Sequence, residues 1–117
     1  ERRPCCLIAG GELTVTVRGQ GRGGRAQEFA LAAAPEIAGL PQVWVAGFAT
    51  DGTDGPTEVA GAVADGETVS RAGRAGIAVD RALLNNDAYP LFQRLRAHIR
   101  TGPTGTNVND LYVLLAL

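Results

Sequence analysis

QVWVAGFATDGTDGPT, residues 42–57, decides how the chain is read. Its first half is apolar, short and bounded by turn-forming residues, the pattern of a buried central strand. It runs straight into Thr50-Asp-Gly-Thr-Asp-Gly-Pro-Thr57, in which two Asp-Gly steps are closed by Pro-Thr. Asp-Gly is a common turn dipeptide. Placed directly after a strand, it also delivers carboxylates to a sheet edge, where open α/β sheets bind their ligands.

Upstream, residues 5–9 (CCLIA) are a short apolar run that ends at Gly10-Gly11. Residues 13–17 (LTVTV) alternate with period two and predict a half-buried strand. Residues 18–25 (RGQGRGGR) are too rich in glycine for a regular element. From Ala26 the pattern turns helical, with Phe29, Ala33, Ile37 and Leu40 on one face, until Gly39 and Pro41 stop it. Downstream, residues 58–63 suit either a short helix or a strand, and Asp65-Gly66 turns the chain. Residues 77–84 read as a helix. A second helix starts near Asp87 as N-cap, with Pro90 in its first turn and Leu91, Phe92, Leu95 and Ile99 as its apolar face. Residues 101–109 (TGPTGTNVN) form a loop, and residues 111–117 (LYVLLAL) a last apolar strand. Alternating strands and helices predict an α/β fold: a layered sheet, mostly parallel or mixed, with flanking helices.

At 117 residues the chain makes one compact domain, and 45% hydrophobic residues suffice for a core. A net charge of −1 exerts no general pull on nucleic acid or on an anionic membrane, so neither is an expected partner. All 11 basic residues are arginine. Any step that needs a lysine ammonium must therefore take it from another domain or chain. Cys5 and Cys6 are adjacent and apolar in context, which predicts free, buried thiols. No metal-spaced cysteine set is present. No apolar run reaches the roughly 18 residues of a membrane span, and no signal pattern opens the sequence, so a cytoplasmic location is expected.

Gly19-Gln-Gly-Arg-Gly-Gly24 contains the letters of a dinucleotide-binding fingerprint. The acidic residue such a site expects about 20 positions on is missing, since that position falls near Trp44 in mid-strand. A broader anion-binding reading remains: the amides of Gly23 and Gly24, the helix N-terminus that follows and the fork of Arg25 all suit phosphate or carboxylate. Three polar, Gly-rich segments (18–25, 50–57 and 101–109) converge if the last strand runs antiparallel. Within the third, Thr104, Gly105, Thr106 and Asn107 offer backbone and side-chain hydrogen bonds. Asp51 and Asp54 can hold Mg²⁺ through water or orient a hydroxyl nucleophile, the combination that phosphoryl transfer needs. Other residues read as structural. His98 is a solvated surface residue, Ser70 has no histidine near it in sequence for a hydrolase triad, Asn85-Asn86-Asp87 caps helices, and Arg71, Arg74 and Arg81 are surface charge.

GGELTVTVRGQGRGGRAQEFALAAA, ATDGTDGPTEVAGAVADG, LLNNDAY and TGPTGTNVNDLYVLLAL resemble, in that order, the C-terminal MOFRL domain of glycerate 2-kinases, a family also labelled hydroxypyruvate reductase. The resemblance runs over nearly the whole of residues 1–117, from roughly Gly10 to Leu117. It implies ATP-dependent phosphorylation of D-glycerate at its 2-hydroxyl with Mg²⁺, in a cleft between this lobe and a larger N-terminal lobe that supplies a lysine. This chain would be the smaller lobe, inactive without that partner. The matched motifs carry over Arg25, Asp51 and Asn107 as catalytic positions. Gly23, Gly24, Asp54, Thr104, Gly105 and Thr106 are expected around substrate or phosphate, with no metal ligand assigned. Arg25 would bind the glycerate carboxylate or the transferring phosphate, Asp51 would orient the hydroxyl or a metal, and Asn107 would hydrogen-bond substrate. The family reads GGRNQE where this chain has Ala26, one polar contact fewer. An NAD(P)H-dependent hydroxypyruvate reductase and a non-catalytic ligand-binding module are the alternatives.

Overall fold

A computed structural model describes residues 3–11 and 14–117. In chain order the elements are β1 (Cys5–Gly11), α1 (Arg25–Ile37), β2 (Val43–Ala49), β3 (Gly61–Asp65), α2 (Thr68–Arg74), α3 (Val79–Leu84), α4 (Ala88–Leu95), β4 (His98–Ile99) and β5 (Asp110–Ala116). The five strands form one sheet in the order β1-β5-β2-β3-β4. The α/β class and the central position of β2 agree with the sequence reading. The parallel or mixed sheet does not: every pairing among the described residues is antiparallel. Two causes explain the difference. β2 and β3 are joined without a helix, and strands linked that way pair antiparallel. β1 and β2 do run the same way, joined through α1, but β5 returns between them and pairs antiparallel with both.

Period-two alternation decides which side of the sheet is covered. Along β2 the burial alternates strictly, with Val43, Val45, Gly47 and Ala49 buried. α1 packs on β2 and β3. One cluster joins Ala30, Leu31 and Ala34 of α1 to Ala62 and Ala64 of β3 and to the later helices through Ala72, Ala82, Leu91 and Phe92. Alanine at so many contacts lets helix and sheet approach closely. A second cluster holds Ile37, Val43, Val45 and Ala116, with Phe29 and Ala33 against it. The opposite side of β2, with Trp44, Ala46 and Phe48, stays only partly buried.

Several local expectations change in three dimensions. Leu13 lies outside the described residues, and residues 14–17 form no strand. The ambiguous residues 58–63 resolve as strand, with 58–60 leading into β3 and 61–63 within it, and α2 has no counterpart in the sequence reading. The last helix ends at Leu95, with Arg96 in the left-handed region at φ 56°, so Ile99 belongs to β4 and not to a helical face. Cys5 is half-buried and Cys6 exposed, both as free thiols, so the pair is not the buried one expected. Leu40 lies beyond the end of α1 and is exposed. No helix among the described residues is long and apolar enough to cross a membrane.

Candidate active site

β2 ends at Ala49 opposite Asp110, the first residue of β5, and Asp110 also faces Gly11 at the end of β1. The antiparallel course of β5 thus brings the loop after β2 and the loop before β5 to one edge. The two are laced together. The Thr50 amide and hydroxyl donate to the Asn109 carbonyl at 3.1 and 2.7 Å, and the Val108 amide donates to the Thr50 hydroxyl at 2.8 Å. The Thr104 hydroxyl donates to the Thr50 carbonyl at 2.5 Å, and the Thr104 amide to the Asp51 carbonyl at 3.3 Å. Gly52 sits at φ 94°, and a Cβ there would come within 2.1 Å of the Gly102 carbonyl oxygen, so only glycine lets these loops meet.

The third loop joins through the start of α1. Arg25 is its first residue, and Gly24 precedes it as N-cap without a side-chain cap. The missing cap comes from Asp54. Its fully buried carboxylate accepts the amides of Ala26 and Gln27 at 3.0 and 2.8 Å and the Gln27 side-chain amide at 3.0 Å. A Cβ on Gly24 would lie 2.4 Å from the Asp54 carboxyl carbon. The helix N-terminus therefore already holds its anion. Asp54, expected near a ligand, is a buried cap that ties the TDGTDGPT loop to α1.

Arg25 pairs with a different carboxylate, at the start of β5. Its Nε and Nη2 donate to Oδ2 and Oδ1 of Asp110 at 2.5 and 3.0 Å, a bidentate pair. Asp110 is fully buried, whereas the Arg25 side chain is 27% exposed. Asp51 is half-buried, and its Oδ1 accepts the Thr53 amide at 3.0 Å. Asn107 is exposed, with Oδ1 accepting the Asn109 amide at 3.0 Å. Thr104, Gly105 and Thr106 are exposed in the same loop. A cavity of about 300 Å³ is lined by Gly23, Gly24, Arg25, Glu28, Gly55 and Pro56, among others. Asp51 and residues 104–107 do not line it, so the described chain gathers these residues on one edge without enclosing them around one cavity.

Residues 18–22 of the Gly-rich loop do not form the dinucleotide turn that the letters suggest. The amides of Arg18 and Gly19 donate to Asn86 Oδ1 at 2.6 and 3.1 Å, Gln20 to Asn85 Oδ1 at 3.0 Å, Gly21 to the Asn85 carbonyl at 2.9 Å, and Arg22 to Asp87 Oδ1 at 2.9 Å. Five successive amides are thus occupied, which removes the local support for a dinucleotide turn. Asn85-Asn86-Asp87, expected to cap helices, does so in part, with Asn85 at the C-cap of α3, and its side chains also latch this loop. Asp87 does stand at the N-cap position of α4 but makes no side-chain cap there.

Two residues escaped the sequence reading. Glu28 lines the same cavity as Arg25, and its carboxylate accepts Asn86 Nδ2 at 3.1 and 3.2 Å. Burial pushes its carboxyl up, the Asn86 bond opposes this, and the nearby Asp54 charge adds to the rise. Its position one helical turn beyond Arg25 was the signal that could have found it. His98 is half-buried and engaged, not a solvated surface residue: its Nε2 lies 3.0 Å from Gln27 Oε1, and its ring packs tilted against Tyr89 at 4.6 Å between centroids. Beside it the Tyr89 hydroxyl bonds Glu58, which Arg22 and Arg100 also contact at 3.2 Å, and these partners, Tyr89 first, hold the Glu58 carboxyl at about 2.

This edge can be set beside known proteins. The chain is 46% identical over 112 residues to the D-glycerate 2-kinase of Thermotoga maritima, covering 96% of this chain and 27% of that protein. It is 43% identical to the glycerate 2-kinase of Pyrococcus horikoshii and 47% identical to the glycerate kinase of Danio rerio, covering 96% and 94% of this chain but 26% and 23% of theirs. A crystal structure of the Thermotoga maritima glycerate kinase superimposes with a TM-score of 0.96 over 99% of this chain and 28% of its own. The chain therefore spans about a quarter of the length of these relatives. The sequence model of the MOFRL family matches residues 5–110, and with that match covering all but the ends, this chain belongs to the MOFRL family.

Proposed function

We propose that this chain is the smaller lobe of a two-domain D-glycerate 2-kinase, which transfers the γ-phosphoryl group of ATP to the 2-hydroxyl of D-glycerate and yields 2-phosphoglycerate. The observation that carries the reading is the anchored Arg25, set at the same sheet edge as the laced 50–57 and 101–109 loops. The relatives named above as glycerate kinases support it.

Each residue follows from its setting. Arg25 presents a fixed guanidinium to the glycerate carboxylate or the transferring phosphate. The amides of Gly23 and Gly24 lie beyond the latched part of their loop and face the same anion. Asn107 hydrogen-bonds substrate, with Thr104, Gly105 and Thr106 shaping the loop around it. Asp51 orients the attacking hydroxyl. Of the two carboxylates in these loops, Asp54 is buried and engaged, which leaves Asp51 to face a metal. Among the described residues no three His, Cys, Asp or Glu side chains converge on one point. That donor set fits Mg²⁺ held by one carboxylate, water and phosphate oxygens, not a cage built from protein alone. Mg²⁺-ATP, when bound, supplies the phosphoryl group and neutralises its charge. The chain has no lysine, so an ammonium contact comes from the larger N-terminal lobe, which closes the second wall of the cleft. A cytoplasmic setting belongs to the same reading.

The test follows ADP formation from ATP and D-glycerate. The full-length enzyme turns over, and this chain alone does not. Arg25→Ala and Asp51→Asn each lower kcat/KM by about 100-fold or more, the scale of a lost charge-stabilising contact. Absence of glycerate-dependent turnover in the full-length enzyme, or wild-type rates in both variants, would overturn the assignment.

A further inference from the structure

We propose that Asp110 is a positioning residue, which holds the Arg25 guanidinium in its working orientation before any ligand arrives; the inference rests on the kinase reading above. Asp110 opens β5, and its carboxylate is fully buried on the side of the sheet that α1 covers. Both oxygens take Arg25, at 2.5 and 3.0 Å, and Oδ2 also accepts the Tyr112 hydroxyl at 3.0 Å. Residues two apart on a strand share a face, so Asp110 and Tyr112 meet on the pleat. Tyr112 is itself fixed by the core, with its ring 4.5 Å from that of Phe29 on α1.

Among the described residues, Arg25 is thus located at two points. Its backbone is set by the first turn of α1, which Asp54 caps through the Ala26 and Gln27 amides. Its side chain is set by Asp110, from 85 residues further along the chain. A long flexible side chain loses conformational freedom when it binds a ligand, and ordering it beforehand removes that cost from the binding step. Stability alone is a weak explanation for the pair, because desolvation offsets most of what a buried ion pair gains. A planar fork against a buried carboxylate does provide direction, and direction is what a charge-stabilising group at a reacting centre needs.

The test is a double-mutant cycle in the full-length enzyme, reading kcat/KM for D-glycerate. Asp110→Asn keeps the volume but loses the charge and one acceptor. In the otherwise unchanged enzyme it lowers kcat/KM by about 100-fold, the scale set by a misplaced catalytic contact. In an Arg25→Lys background, where no bidentate pair can form, it costs less than about threefold, because the two residues act as a unit. If Asp110→Asn fails to fold, Tyr112→Phe decides: it removes the hydroxyl that donates to Oδ2 and shows a smaller loss that again vanishes in the Arg25→Lys background. Equal losses in both backgrounds mark a purely structural role and overturn the proposal, as does no loss in either. An enzyme without glycerate-dependent turnover overturns the kinase reading and this one with it. Turnover that depends on Arg25 but is spared by Asp110→Asn overturns this one alone.

Discussion

Asp51 and Asp54 stand three residues apart in two copies of the same dipeptide, yet their surroundings give them opposite duties. Asp51 is half-buried and spends one oxygen on the Thr53 amide of its own turn. Asp54 is wholly buried and serves three N–H groups at the start of α1. Removing an acceptor beneath a buried helix start leaves donors without partners, which costs about 1–3 kcal/mol. Asp54→Asn should therefore lower the unfolding free energy by about 2 kcal/mol in urea denaturation. Asp51→Asn should stay within about 0.5 kcal/mol, as for a surface turn residue. Equal losses would contradict the division of labour between them.

At the scale of elements, the turn between α3 and α4 organises the loop that leads into α1. Asn86 is its hub: Oδ1 accepts the Arg18 and Gly19 amides, while Nδ2 donates to the Thr16 carbonyl and to Glu28. It does so at φ 54°, a left-handed conformation that asparagine tolerates better than most residues. Asn86→Gly keeps that backbone and deletes the side chain. Hydrogen exchange at the Arg18 and Gly19 amides should then accelerate by about tenfold or more, the equivalent of roughly 1.4 kcal/mol for a lost bond. The Gly21 amide, held by the Asn85 carbonyl, should change less. Unchanged exchange at Arg18 and Gly19 would mean that the latch is incidental.

Across the whole molecule, a buried polar chain joins the outer strand to the site. Gln27 Nε2 donates to Asp54 and Thr57, which leaves Oε1 as an acceptor, so the His98 Nε2 facing it carries the hydrogen. Nδ1 is then bare, and it is buried with no partner among the described residues. Protonating it would bury an unpaired charge. Burial first, and the Arg100 charge second, hold the imidazole pKa down at about 4 against an ordinary 6.5. Below pH 6.5 the unfolded chain takes up a proton that the folded chain refuses. This contribution is therefore complete above about pH 6.5 and shrinks as pH falls toward 4. For a partly exposed ring the loss is on the order of 1–3 kcal/mol. His98→Gln, which keeps a donor for Gln27, should flatten the fall in thermal midpoint between pH 6.5 and 4. A wild-type slope in that variant would locate the pH sensitivity elsewhere.

Local pattern carried a good share of this protein. The apolar run of β2, the helical spacing of α1 and the Gly-rich loops are each written in consecutive residues, because period and turn chemistry act over a few positions. The TDGTDGPT and TGPTGTNVND stretches were specific enough to bring out the family. Partner choice is another matter. β5 inserts between β1 and β2, Arg25 finds Asp110, and the amides of residues 18–22 find Asn85, Asn86 and Asp87. No periodicity reports such choices, since they depend on which distant groups the close packing of sheet and helices leaves within reach of a hydrogen bond. Sequence alone thus determined the α/β class, β2, α1, α4 and β5, and most of the residues worth watching, but neither α2 nor β4. Tertiary structure decided which carboxylate stays partly exposed, which caps a helix and which aims an arginine, because burial and hydrogen-bond satisfaction are settled only when the whole chain has packed.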